Sequence, residues 1–217
     1  MRQTFLKFLT AFAVSVMAAS AMAAPMVTNG DFESDTGGFS LWPGYVGQDG
    51  VNPANVSGWQ GTGGHGINPI SSAHDTPAPF RDNGSNDTHV AFLQGASSIF
   101  QDVSGFTPGA EYILSLDYNS RNCCGDFPVA TVSLSADLSV STGDAVMPVG
   151  DANDWYHADI PFVAPADTLT LTISSAASAG GDATLVVDNV SIQAVPEPAS
   201  MGLIGIGLLG FMMRRRR

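Results

Sequence analysis

Between about residue 110 and residue 192, several separate runs alternate apolar and polar positions with a period of two. Tyr112, Leu114, Leu116 and Tyr118 alternate with Ile113, Ser115, Asp117 and Asn119, the pattern of a strand with one face buried and the other wet. Val132 and Leu134 alternate with Thr131, Ser133 and Ser135. Leu169, Leu171 and Ile173 alternate with Thr170, Thr172 and Ser174, and a further run extends from Ala183 to Ile192. No window carries a helical period over three turns. Asn29-Gly30, Thr107-Pro108-Gly109, Ala164-Pro165 and Gly180-Gly181 punctuate the runs at the spacing of an antiparallel sandwich. The pattern predicts one all-β domain over residues 25–194, an antiparallel two-sheet jelly roll, with Trp59 and Trp155 as core anchors. The stretch from Phe39 to Asn86, rich in Gly, Asn and Pro, predicts long loops on one rim.

Both ends read differently from the middle. Arg2 and Lys7 precede an apolar run from Phe8 to Ala21, and Ala21-Met22-Ala23 follows; charged start, apolar stretch and small-residue site are the order of a secretory signal over residues 1–24. Such a segment would engage the Sec translocon and signal peptidase. At the other end Val195-Pro196-Glu197-Pro198 precedes an apolar run from Ala199 to Met213, and Arg214, Arg215, Arg216 and Arg217 close the chain. A helix over that run would cover ~22 Å at ~1.5 Å per residue, short of a ~30 Å hydrocarbon core. Snorkelling arginines extend it, and the positive-inside rule keeps them cytoplasmic while the acidic middle is exported.

This C-terminal arrangement resembles the tripartite sorting signal of PEP-CTERM proteins. The resemblance implies that Pro196, Glu197 and Pro198 are the recognition motif, that residues 199–213 form a short transmembrane helix, and that Arg214 to Arg217 are the cytoplasmic stop. It further implies an exosortase as processing partner, a Gram-negative bacterium that makes exopolysaccharide or biofilm, and transient membrane anchoring before release to the cell surface or beyond. Independently, the prolines keep the motif extended and non-helical, as a protease reaching the backbone requires.

Charge then narrows the partners. The chain has 217 residues and a formal charge of −12, and six of its eight basic residues lie in the two end segments. Nineteen acids and two bases remain between residue 24 and Val195, which argues against nucleic acid, whose phosphates need clustered Lys and Arg. No nucleophile elbow, zinc-binding His-Glu pair or phosphate loop occurs. The chain therefore reads as a non-enzyme, with a secreted glycoside hydrolase as the outside alternative.

Asp188 is the oddity of the last run. If Val186, Val190 and Ile192 face inward, so does Asp188, and a buried carboxylate must be protonated, hydrogen-bonded or bound to a cation. The other reading turns Leu185 and Val187 inward, with a bulge near Asp188. Asn29-Gly30-Asp31-Phe32-Glu33 supplies further oxygen donors, a set that suits Ca²⁺.

Asn29 to Glu33, Val90 to Gly95, Ile99 to Val103, Thr107 to Tyr112 and Val187 to Val190 together resemble the galactose-binding-like jelly rolls of carbohydrate-binding modules. The resemblance implies a structural calcium joining the first and last strands through Asp31, Glu33 and Asp188. Sugar binding needs flat aromatic surfaces and a few fixed polar groups. Trp42 and Tyr45, expected to be exposed, are the aromatic candidates, with Asn119 and Arg121 as polar partners. By default Arg121 pairs with Asp117 or Asp126. Cys123-Cys124 reads as a vicinal disulfide in an exported chain, with an intermolecular bridge or a reduced pair as competing readings. Envelope or matrix component, carbohydrate-binding module and hydrolase are the competing functions, with exopolysaccharide the expected partner of the first two.

Overall fold

The computed structural model describes residues 24–35, 37–47, 50–69, 89–122, 126–135, 138–176 and 182–196. The signal segment over residues 1–23, the C-terminal segment from Glu197 and Pro198 to Arg214, Arg215, Arg216 and Arg217, and the Cys123-Cys124 pair lie outside them. Nine strands appear: β1 (Gly44–Tyr45), β2 (Gln60–Pro69), β3 (His89–Ser104), β4 (Glu111–Ser120), β5 (Val129–Leu134), β6 (Leu138–Ser141), β7 (Tyr156–Val163), β8 (Thr168–Ala176) and β9 (Thr184–Ala194). All pairings are antiparallel, and the described residues contain no helix.

Seven strands run in the order β6-β5-β8-β3-β9-β4-β7, with β2 also on β3 and β1 on β2. The long β3 joins the two layers of the sandwich. Its first half pairs with β9 through Ala91 to Gln94, and its second half pairs with β8 through Ser97 to Ser104. Between them Gly95 takes a φ of 63°, open to glycine because it has no Cβ.

The predicted alternation is realised. Leu114, Leu134, Leu171 and Ile173 lie in the main core with Tyr112, Leu116 and Leu169; each fully buried aliphatic side chain contributes about 1.5–3 kcal/mol. Trp59 is buried against Phe32, ring centroids 5.6 Å apart, and its indole N–H donates to Asn29 O at 3.1 Å.

One expectation is corrected. The Gly-rich stretch read as rim loops contains β1 and the ten-residue β2. Glycine is disfavoured in strands by propensity, but here it permits close approach. A Cβ on Gly66 would stand 1.9 Å from Gly44 O, and one on Gly61 2.4 Å from the His65 ring.

The last strand settles the Asp188 question. Ser115 pairs with Ser191 and Asp117 with Asp188, so β9 carries one residue more than β4 in this interval, a β-bulge. Asn189 sits in it at a φ of 52°. Leu185 and Val187 before the bulge and Val190 and Ile192 after it all reach the main core, while Asp188 shares the opposite face with Val186. The first segment docks here. Val190 N donates to Gly30 O at 2.9 Å, and a Cβ on Gly30 would meet Val190 O at 2.0 Å.

Candidate functional site

The face of β3, β9 and β4 turned away from the main core carries its own apolar floor. Phe92 and Val186 are cross-strand partners and cluster with Val90 and Trp155, with Tyr45 and Val149 packed against them. The Tyr45 ring meets Phe92 edge-on, centroids 4.8 Å apart at 84°, a favoured aromatic geometry.

One row further along, the polar groups are linked. The Tyr45 hydroxyl donates to Gln94 Oε1, and Gln94 Nε2 donates to Asp182 Oδ1. The other oxygen of Asp182 accepts from Arg121 Nη1 at 2.5 Å. Main-chain bonds hold the same groups: Arg121 N donates to Thr184 O at 2.9 Å and Gly95 N to Ala183 O at 2.7 Å. Burial pushes the Tyr45 phenol pKa up and the Asp182 charge adds to the shift, so Tyr45 stays a neutral donor at ordinary pH. The Arg121 and Asp182 side chains remain 22% and 35% exposed, which keeps the ion pair within reach of a ligand. A neutral phenol, an amide and an ion pair fixed beside an aromatic floor can present donors and acceptors to a polyhydroxylated ligand.

The structure thus brings Tyr45 and Arg121 together through Gln94 and Asp182, which the sequence reading missed. Their common signal was a polar residue beside a glycine: Gln94 before Gly95 within β3, and Asp182 after Gly180-Gly181 just ahead of β9. Arg121 pairs with Asp182 and not with Asp117 or Asp126, because the β4–β9 pairing sets the end of β4 against the start of β9.

Two other candidates fall elsewhere. Trp42 is half-buried, stacked on Phe39 at 6.1 Å and tilted against His89 at 5.7 Å. His89 opens β3, five residues or ~17 Å of strand from Gln94 at ~3.3 Å per residue. Asn119, expected to be exposed, is fully buried. Its Nδ2 donates to Val149 O at 3.1 Å, and its Oδ1 accepts from Val149 N at 3.0 Å and Ser120 N at 2.8 Å. It latches the segment leading to Trp155.

The expected calcium ligands are not brought into one group. Asp31 is exposed. Both oxygens of Glu33 engage His89, Oε1 accepting from its backbone N at 2.6 Å and Oε2 lying 3.2 Å from Nδ1. Asp188 Oδ1 accepts from Asn189 N at 2.7 Å. Among the described residues no three or more His, Cys, Asp or Glu side chains converge as metal ligands would.

A second polar cluster spans β4, β7 and β9. His157 Nδ1 lies 2.6 Å from Asp117 Oδ1, and Nε2 lies 3.2 Å from Asp159 Oδ1. Ser115 Oγ donates to Asp159 at 2.6 Å and Asn189 Nδ2 to Asp117 at 2.9 Å. The hydrogen bond to Asp117 raises the His157 pKa, while the Ser115 hydrogen bond lowers that of Asp159. A raised imidazole pKa gives stability that is complete below the unfolded value near 6.5 and fades as pH rises through the folded value. The depressed carboxyl gives stability above its ordinary range that fades as pH falls. An NMR titration of His157 is expected to show a midpoint above 6.5 that Asp117→Asn moves down; an unmoved midpoint would remove Asp117 as the cause. Because His157 is exposed, salt should shrink the shift.

Fold and site together define an all-antiparallel β-sandwich with a polar network on one sheet face. Residues 194–217 match the PEP-CTERM protein-sorting motif, which marks an exosortase-sorted surface protein, exported and held in the membrane by its C-terminus before cleavage. No curated protein matches the chain. A cyclase from Fischerella sp. in apo form is similar in structure, with a TM-score of 0.54 and 18% identity over 82% of this chain and 100% of that one. TmCBM61, solved in complex with beta-1,4-galactotriose, has a TM-score of 0.44 and 14% identity over 80% of this chain and 100% of its own. The CBM22-1-GH10 modules of Clostridium thermocellum xylanase 10B, complexed with xylohexaose, have a TM-score of 0.41 and 15% identity over 66% and 27%. A cyclase on this fold means that architecture alone does not separate a binder from a catalyst.

Proposed function

We propose that this surface protein binds an extracellular polysaccharide on the sheet face that carries Tyr45, Gln94, Asp182 and Arg121. The observation that supports the reading is the continuous hydrogen-bonded path from the Tyr45 phenol to the Arg121 guanidinium, set beside the Phe92–Trp155 floor. Preordering of these groups lowers the entropy lost on binding. The partner is the exopolysaccharide of the producing Gram-negative cell, and the role is attachment within the envelope or matrix without catalysis.

Retention on that exopolysaccharide is the test. Tyr45→Ala and Arg121→Ala are each expected to weaken it about tenfold, the value of one or two lost directional contacts. Arg121→Lys keeps the charge but loses the fork and should be nearly as weak. Wild-type retention in all three variants would overturn the assignment. Release of reducing sugar by the wild type would favour a hydrolase. Repeating retention with a chelator tests calcium at Asp31, Glu33 and Asp188: loss supports a bound ion there, and no change leaves the Gly30–Val190 contact as the closure.

A further inference from the structure

The two ends of the strand order, β6 and β7, flank one cleft that opens between the layers of the sandwich. Its volume is about 150 Å³. Leu116, Ala130, Ile160, Ile173, Leu185 and Val187 form its walls, with Val140 and Tyr118 also lining it. Tyr118 stacks on Tyr156, centroids 5.4 Å apart at 27°, and Val140 and Tyr156 are exposed.

The lining selects against a sugar. The nearby hydroxyls are already engaged, Ser141 Oγ donating to Ala130 O and Thr142 Oγ1 to Asp144 O. Each sugar hydroxyl buried here without a partner would cost about 1–3 kcal/mol. The cleft is partly open to solvent, and a space of about 150 Å³ with aliphatic and aromatic walls is the size that takes one benzene-sized ring. Among the lining residues Tyr118 carries a polar group that is not engaged, because its hydroxyl makes no hydrogen bond among the described residues.

We infer that this cleft binds a small, mostly apolar molecule with a single aromatic ring and one hydrogen-bonding group, the ring between the layers and the polar group on the Tyr118 hydroxyl. The site is separate from the proposed glycan face. Its walls belong to the main core, whereas Tyr45, Phe92 and Trp155 belong to the second cluster. The exported protein would then carry or sense an aromatic metabolite as well as hold polysaccharide.

The full chain in lipid nanodiscs, methyl-labelled for NMR, tests this with p-cresol, toluene and galactose as probes. p-Cresol is expected to give saturable shifts at the Ala130, Ile160, Ile173 and Leu185 methyls, and galactose none there. Tyr118→Phe should weaken p-cresol about three- to tenfold, the value of one neutral hydrogen bond, and leave toluene unchanged. Ala158→Phe fills the cleft from β7 and should weaken both aromatic probes more than tenfold; should that variant misfold, the p-cresol and toluene split at Tyr118→Phe still decides. Non-saturable shifts, shifts at Val90 and Val186 instead, or equal effects of Tyr118→Phe on both aromatic probes would overturn the inference. None of these outcomes bears on polysaccharide retention, so the two readings fail separately.

Discussion

Gly30→Ala is expected to destabilise the protein by about 3 kcal/mol, the upper range for forced overpacking. The added methyl would stand 2.0 Å from Val190 O, a backbone atom that cannot rotate away. The first segment must therefore lift off β9, which also breaks the Val190 N to Gly30 O hydrogen bond. Gly37→Ala is the matched control, since a Cβ there meets nothing within 4 Å, and it should change stability by less than about 0.5 kcal/mol. Urea denaturation of both variants checks the pair, with the midpoint falling for Gly30→Ala alone. Equal midpoints would mean that the Gly30–Val190 contact does not hold the chain start to the sandwich.

Phe92→Ala should cost about 3–5 kcal/mol, as large-to-small changes at buried aromatics do. Phe92 is 1% exposed and is the floor on which Tyr45 rests. Its loss is expected to release Tyr45 and with it the grip on Gln94, so polysaccharide retention should fall even under conditions where the variant is still folded. Phe92→Leu keeps most of the volume and should cost less than about 1.5 kcal/mol. Denaturation midpoints and retention, measured side by side, separate the two effects. Full retention by folded Phe92→Ala would detach the floor from the binding face.

How much of this was legible in the sequence differs by layer. Strands with one wet face, such as β4, β5 and β8, announce themselves because side chains alternate across a pleat. β2 did not, since its glycines are chosen for what lies against them, and contacts such as Gly66 with Gly44 join residues 22 positions apart. The Asp188 bulge left two phases open, and only the pairing of Ser115 with Ser191 and of Asp117 with Asp188 chose between them. Tyr45 and Arg121 were recognisable by residue type, but their link through Gln94 and Asp182 depends on four separate stretches of chain meeting at one strand row. Asn119 was misplaced for a related reason. Strand alternation put it on the face opposite Leu116, and nothing local showed that residues 149–155 cover that face.

The strand nearest the membrane tether is interior to the sheet. β9 is paired with β4 from Leu185 to Ala194 and, over Thr184 to Val187, with β3 on its other side. Shear flow over a cell that holds this protein by its C-terminus would pull first on that strand, and freeing it requires breaking the β4 ladder and the Gly30 seam and, further in, the β3 ladder over Thr184 to Val187. An edge strand such as β6 could peel one bond at a time. The topology therefore places mechanical resistance next to the C-terminal tether, where a surface-held protein feels drag.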